Sequence, residues 1–255
     1  MARRAISQMA SLPGEFIGAT GSRYRFKELL QQRPHFGRVW LATYAASKFL
    51  YLASRLSLTI TSDIKPDNMM VDMRHEEQDD IIDKVQMTDL ENAAYLPPGR
   101  CIRGMLAGNY NWRSPEAHFK ERLNKPTDMF SFGITCICAI LGRVIFGPDE
   151  DFRRHQAQGV LPTLIRLQRQ VSYFGDQEGI DGLLQHISDD DVSCEVLQMM
   201  WDERFDENIP YKAFNDWPEV SDAEFKDFIK GLTSLAPSRR VTAKQALDHP
   251  WLAGL

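Results

Sequence analysis

The chain has no apolar run long enough to span a bilayer, which takes about 18 to 20 residues. Its longest, Phe130 to Leu141, is interrupted by Ser131, Gly133 and Thr135 and reads as a buried core helix. Positive charge is not in excess either. A net charge of -5 argues against a nucleic-acid groove or a polybasic membrane anchor, both of which need clustered Lys and Arg, so neither nucleic acid nor a membrane is an expected partner. Cysteine is scarce: Cys101, Cys136, Cys138 and Cys194 show neither metal-ligand pairing nor the density of a disulfide scaffold. A reduced intracellular compartment, cytoplasmic or nuclear, fits that usage. No repeat or low-complexity tract is present. The first fourteen residues lack acid and carry Arg3 and Arg4; they weakly resemble a transit peptide, and a disordered tail over 1–22 is the expectation.

What is present is a globular composition. With 255 residues, 43% hydrophobic and 25% charged, the chain can bury a sizeable core. Tyr24 to Leu30 and Gly37 to Ala42 look like β-forming stretches around a glycine turn, and Lys48 to Leu58 is apolar and either helical or strand-like. Met69 to Val71 and Val85 to Thr88 read as short strands joined by an acidic, solvated tip from His75 to Asp80. Beyond Gly108-Asn109 helical signals dominate. Pro126-Thr127-Asp128 opens the Phe130 to Leu141 helix and Gly142 closes it. Leu161 to Val171, Gly182 to Ile187, Val192 to Trp201, Ala223 to Leu232 and Thr242 to Leu247 carry apolar residues at helical spacing. In Ala223 to Leu232, Phe225, Phe228, Ile229 and Leu232 form one stripe facing a core.

The chemistry concentrates in Asp63-Ile64-Lys65-Pro66-Asp67-Asn68. The carboxylate of Asp63 can accept the proton of an attacking hydroxyl. Lys65 can neutralise a transferring phosphoryl group, and the amide oxygen of Asn68 can coordinate Mg²⁺, which takes oxygen ligands and keeps some waters. The six residues therefore read as a phosphoryl-transfer loop. They resemble the D-x-K-x-x-N core of the protein-kinase catalytic loop. Asp89, in Thr88-Asp89-Leu90-Glu91, stands where that family has the metal-binding D-F-G, with Leu for Phe and Glu for Gly. Glu91 adopts positive φ less easily than Gly, which restricts a backbone flip there.

The resemblance runs on. Gly108 to Glu116 is similar to the G-T-x-x-Y-x-A-P-E end of a kinase activation segment, with Asn109 and Trp112 replacing Thr and Tyr. It implies that buried Glu116 pairs with Arg240, in Pro237 to Thr242, ahead of His249-Pro250-Trp251. It also implies that Asp128, in Asp128 to Gly133, accepts backbone hydrogens from the catalytic loop. These motifs span about three quarters of the chain, in order. Trp112 to His118 and Val171 to Asp176 look most like kinase-like proteins of filamentous fungi. The implied fold is α+β and protein-kinase-like: a tail over 1–22, a truncated β-rich N-lobe remnant over 23–52 and a mainly helical C-lobe over 53–252. The implied activity is ATP-dependent phosphoryl transfer to Ser/Thr hydroxyls of a protein substrate, with Asp63 and Lys65 catalytic and Asn68 and Asp89 on Mg²⁺. Gly37, Val39, Lys65, Asn68 and Asp89 would bind ATP.

Three departures qualify this. Only 23 residues separate Val39 from Asp63, where three strands and three helices would take on the order of 70 to 80 residues; the αC helix, its Glu and the adenine hinge have no counterpart. Lys48 falls too early for the lysine that pairs with that Glu, and Leu52 holds the better position. Thr61-Ser62-Asp63 replaces H-R-D, which removes the arginine that meets an activating phosphate. Consistently, Glu91 to Arg113 contains no Ser or Thr, only Tyr95 and Tyr110 as hydroxyl bearers, so the segment is expected to be held constitutively. An active kinase, an impaired pseudokinase acting as a docking module, and an incomplete version of a longer kinase all stay open.

Overall fold

The computed structural model describes residues 16–17, 23–33, 37–44, 59–61, 63–75, 80–97 and 99–253. The tail apart from 16–17, Lys48, Leu52, the stretch up to Leu58, Ser62 and most of the acidic tip lie outside the described residues. The chain divides into two compact units, Met1–Leu52 and Ala53–Leu255.

In the first unit, β1 (Phe16–Ile17), β2 (Arg23–Arg33) and β3 (Gly37–Tyr44) form an antiparallel sheet in that order. Phe16 and Ile17, expected in the tail, pair with Tyr24 and Arg23. The β2–β3 ladder runs from Tyr24 opposite Tyr44 to Arg33 opposite Gly37, with register shifts after Phe26 and after Leu29, the mark of bulges that increase local twist. Gly37 and Val39 lie on β3 opposite Arg33 and Gln31.

In the second unit, β4 (Thr59–Ile60) is followed by the hairpin of β5 (Met69–His75) and β6 (Asp80–Met87), and β7 (Ala94–Tyr95) returns to pair with β4. Helices then take over: α1 (Pro115–His118), α2 (Lys125–Leu141), α3 (Glu150–Ala157), α4 (Pro162–Phe174), α5 (Gln177–His186), α6 (Asp191–Asp202), α7 (Ala223–Thr233), α8 (Ala243–Leu247) and α9 (Pro250–Ala253). No helix among the described residues is long and apolar enough to cross a membrane.

The core is built on α2 and α7. Asn124 caps α2 by accepting from the Lys125 N–H, Pro126 sits in its first turn, and Gly142 closes it at φ 65°, a conformation that suits glycine. Phe130, Ile134 and Ile137 of α2 pack with Phe225, Phe228, Ile229 and Leu232 of α7, all essentially inaccessible. Each such side chain contributes about 1.5–3 kcal/mol when fully buried. Gly133 permits the approach, since a Cβ there would stand 2.8 Å from Thr233 Cγ2. A second cluster joins α4, α5 and α6 through Leu167, Ile180, Leu183 and Leu197. Helix α3 was not legible from apolar spacing because Phe152 is its single buried residue. Its polar signal was the cap: Asp149 accepts from the Phe152 N–H, acids fill the first turn and Arg154 and His155 the last, matching the helix dipole.

Candidate active site

Buried Ile60 and Thr61 lead into the Asp63 loop, and the loop is anchored from below by α2. The Thr61 N–H donates to Asp128 Oδ2 at 2.7 Å, so Asp128 takes a backbone hydrogen from the loop. Lys65 is extended at φ -161°, and Pro66 opens a 3-10 turn over Pro66–Asn68 that returns Asn68 towards the start. Asn68, 5% exposed, donates through Nδ2 to Asp63 O at 2.9 Å and Oδ2 at 3.0 Å. Lys65 Nζ donates to the same Oδ2 at 2.6 Å, and the Asn109 N–H donates to Asp63 Oδ1 at 3.2 Å. Asp63, Lys65 and Asn68 thus meet in one hydrogen-bonded ring. Because the Asn68 amide nitrogen is spent on Asp63, its Oδ1 is left for another partner.

The β5–β6 ladder brings Asp89 to this end of the hairpin. Met69 pairs with Met87, so the residues one step beyond meet: Thr88 N and Oγ1 donate to Asn68 O at 2.8 and 3.2 Å. Asp89 follows, exposed, at φ 57°. That left-handed conformation is one Asp tolerates better than most residues. The positive φ thus falls on Asp89 itself, while Glu91 sits within a 3-10 turn over Leu90–Asn92. The carboxylate of Asp89 and Oδ1 of Asn68 are oxygen donors of the kind Mg²⁺ accepts alongside water. Among the described residues no group of three His, Cys, Asp or Glu could hold a metal, so no all-protein cage competes with this pair. Gly37 and Val39 belong to the other unit, on β3.

A cleft of about 290 Å³ opens beside Asp63 and Lys65, lined also by Asn92 and by Met105 to Asn109. Its wall is held by Arg113, which the sequence pattern did not single out. The Arg113 guanidinium donates through Nε to Ala107 O at 2.7 Å and through Nη2 to Gly108 O at 2.7 Å and Leu106 O at 3.5 Å. Gly108, at φ 76°, makes the turn that exposes these carbonyls. Downstream, the fully buried Glu116 meets Arg240 in a two-pronged ion pair, 2.7 Å on each prong, and accepts a further bond from Thr127 Oγ1 at 2.9 Å. Burial raises the Glu116 carboxyl, but the charge and hydrogen bonds of Arg240 more than offset this and hold it below the usual carboxylate range. His118 is pushed down to about 3, first by burial and then by Arg113 and Arg166, so its ring is neutral.

A family profile for the protein kinase domain matches residues 28–252. The calcium/calmodulin-dependent protein kinase cmkA of Emericella nidulans is 23% identical over 192 residues, covering 75% of this chain and 34% of that protein. Serine/threonine-protein kinase H1 of Mus musculus is 23% identical over 194 residues, covering 76% of this chain and 33% of its own. Calcium-dependent protein kinase 20 of Oryza sativa is 51% identical over a short stretch of 39 residues, 15% of this chain and 7% of that protein. This chain spans about a third of the length of the relatives it matches broadly. The crystal structure of another kinase domain superposes with a TM-score of 0.55 at 15% identity, over 78% of this chain and 60% of that one. The helical second unit with its hairpin-borne loop has the protein-kinase fold, and the chain belongs to the protein kinase family.

Proposed function

We propose that this chain transfers the γ-phosphoryl group of ATP to Ser or Thr hydroxyls of a protein substrate, inside the cell. The arrangement of bonds on Asp63 carries the reading. An ionised carboxylate offers about four acceptor sites, and Lys65, Asn68 and Asn109 use three of them. Among the described residues one acceptor site remains, on the side of Oδ1, for the proton of an attacking hydroxyl. Donors on both oxygens fix the carboxylate in place, and positioning supplies much of the rate in phosphoryl transfer. Lys65, 15% exposed, stands beside that base, and among the described residues two of its ammonium hydrogens are left for a phosphoryl oxygen. Asn68 and Asp89 would hold Mg²⁺, which when bound offsets charge on the phosphates.

Titration calorimetry with Mg·ATP on the whole chain, with Asp89→Asn beside it, tests this reading. Asn keeps the tolerance of Asp for the left-handed backbone, so the variant removes charge alone. Micromolar binding lost in the variant, together with phosphorylation of Ser/Thr peptides abolished by Asp63→Asn, supports the enzyme. A folded chain that binds no nucleotide would overturn it and leave a docking module or an incomplete kinase.

A further inference from the structure

Two buried arginines in this fold, Arg169 and Arg240, have acids beside them. Arg169 has Asp149 at 2.5 Å and Arg240 has Glu116. Arg113 and the half-buried Arg166 lack such a partner: among the described residues neither has a carboxylate within ion-pair reach. Arg113 is 4% exposed and spends Nε and Nη2 on main-chain carbonyls. Arg166, half-buried on α4, spends Nε on Asn111 Oδ1 at 3.0 Å and Nη1 on Pro162 O at 3.1 Å. Among the described residues, one terminal nitrogen of each has no hydrogen-bond partner. Both guanidinium groups lie over the ring of Tyr110, at 5.1 and 5.8 Å from its centroid, and that ring is 59% exposed. Burial, then repulsion by Arg169 and by Arg113, pushes the Arg166 guanidinium down, and the field of Arg113 and Arg166 is also felt by His118. Positive charge held this way, without a counterion, favours an incoming anion.

The place is also specific. Asn109 N–H donates to Asp63 Oδ1, Asn111 N–H donates to Asn109 Oδ1 at 3.1 Å, and Arg166 donates to Asn111 Oδ1. Three hydrogen bonds therefore run from Asp63 to Arg166 beneath the exposed Tyr110. We propose that Arg166, backed by Arg113, receives an anionic side chain, a carboxylate or a phosphoryl group, of a peptide lying across Asn109 and Tyr110. The assignment rests on the reading that the peptide enters beside Asp63, and it names acidic sequences as the substrate class. Guanidinium groups suit both anions because their paired N–H groups match carboxylate and phosphate oxygens.

The test is fluorescence anisotropy on the whole chain with labelled short peptides. Each has a central Ser flanked on both sides by Glu, by phosphoserine, or by Gln as the neutral isostere. The Glu peptide should bind about tenfold tighter than the Gln peptide at low salt, a ratio that corresponds to about 1.4 kcal/mol. Arg166→Gln, which keeps an amide donor for Asn111, should bring the ratio to about one with thermal unfolding unchanged. Arg143→Gln, on an exposed pair with Glu219, should leave it intact. Tighter binding of the phosphoserine peptide than of the Glu peptide identifies a phosphoryl ligand, and equal binding a carboxylate; both support the site. Equal binding of Glu and Gln peptides, no binding of any, or a preference that survives Arg166→Gln overturns it. Mg·ATP titration in parallel separates the two readings: acidic preference without nucleotide binding refutes the enzyme and retains the site.

Discussion

Removing Arg240 should cost more than removing any exposed arginine, because its bonds are complete and its partner has no access to water. All five guanidinium hydrogens are used: Nε to Ser234 O, Nη1 to Glu116 Oε1 and Pro126 O, Nη2 to Glu116 Oε2 and Leu235 O. Arg240→Met leaves the buried Glu116 charge unpaired and three carbonyls without that donor. Breaking a buried pair from one side costs about 3–5 kcal/mol, and each kcal/mol moves Tm by about 2–4 °C in a chain of this size. The expected loss is therefore roughly 6 to 20 °C by circular dichroism melting. Arg143→Met, which breaks the exposed pair with Glu219, should cost at most about 1 kcal/mol. Adding Glu116→Leu to Arg240→Met should restore part of the loss by removing the buried charge, but not all, since the carbonyls stay unpaired. A pH series adds a second check. The folded Glu116 carboxyl is depressed, so the stability it confers is present above its ordinary value of about 4.3 and is lost as pH falls through its lower folded value. Equal melting losses for Arg240→Met and Arg143→Met would refute the argument.

Two further outcomes follow from burial. His118 is held at about 3 against about 6.5 in an unfolded chain, so the unfolded state takes up a proton first as pH drops. Stability should fall by up to about 1.4 kcal/mol per pH unit between those values; urea unfolding at a series of pH values should show a shallower slope for His118→Gln, and parallel slopes would sink the assignment. Gly182→Ala should destabilise by about 1–3 kcal/mol, because its Cβ would lie 2.5 Å from Ala236 Cβ. Gly142→Ala meets no atom within 4 Å but is strained at φ 65°, so urea unfolding of the pair compares a clash with a backbone penalty.

The sequence made some features legible because one physical rule decided them. The α7 stripe of Phe225, Phe228, Ile229 and Leu232 was visible since each residue must reach the same core, and all are buried. The strands of the hairpin were found only as apolar kernels. Their ladder runs on through Asp72 opposite Lys84 and His75 opposite Asp80, carried by main-chain bonds that apolar patterning does not register. Glu116 with Arg240 came from resemblance, because nothing local joins residues so far apart. The Arg113 clamp on three consecutive carbonyls was invisible, since main-chain acceptors are the same at every residue. So was the convergence of Arg113 and Arg166 on Tyr110, which depends on how α4 packs.

The Glu116–Arg240 pair also bears on time. Its members are 124 residues apart, and closing a loop of that length in an open chain costs on the order of 4 kcal/mol of entropy beyond a constant term. Such a contact forms after the intervening helices have shortened the path, late on the folding route. A bond made after the rate-limiting barrier leaves the rate of folding nearly unchanged and slows escape from the native state. Stopped-flow unfolding should therefore be faster in Arg240→Met while refolding keeps the wild-type rate; a slowed refolding limb would place the pair in the nucleus. The ion pair that pins the end of the segment beside the cleft would then govern how long the site survives once built, and the helical core how quickly it is built.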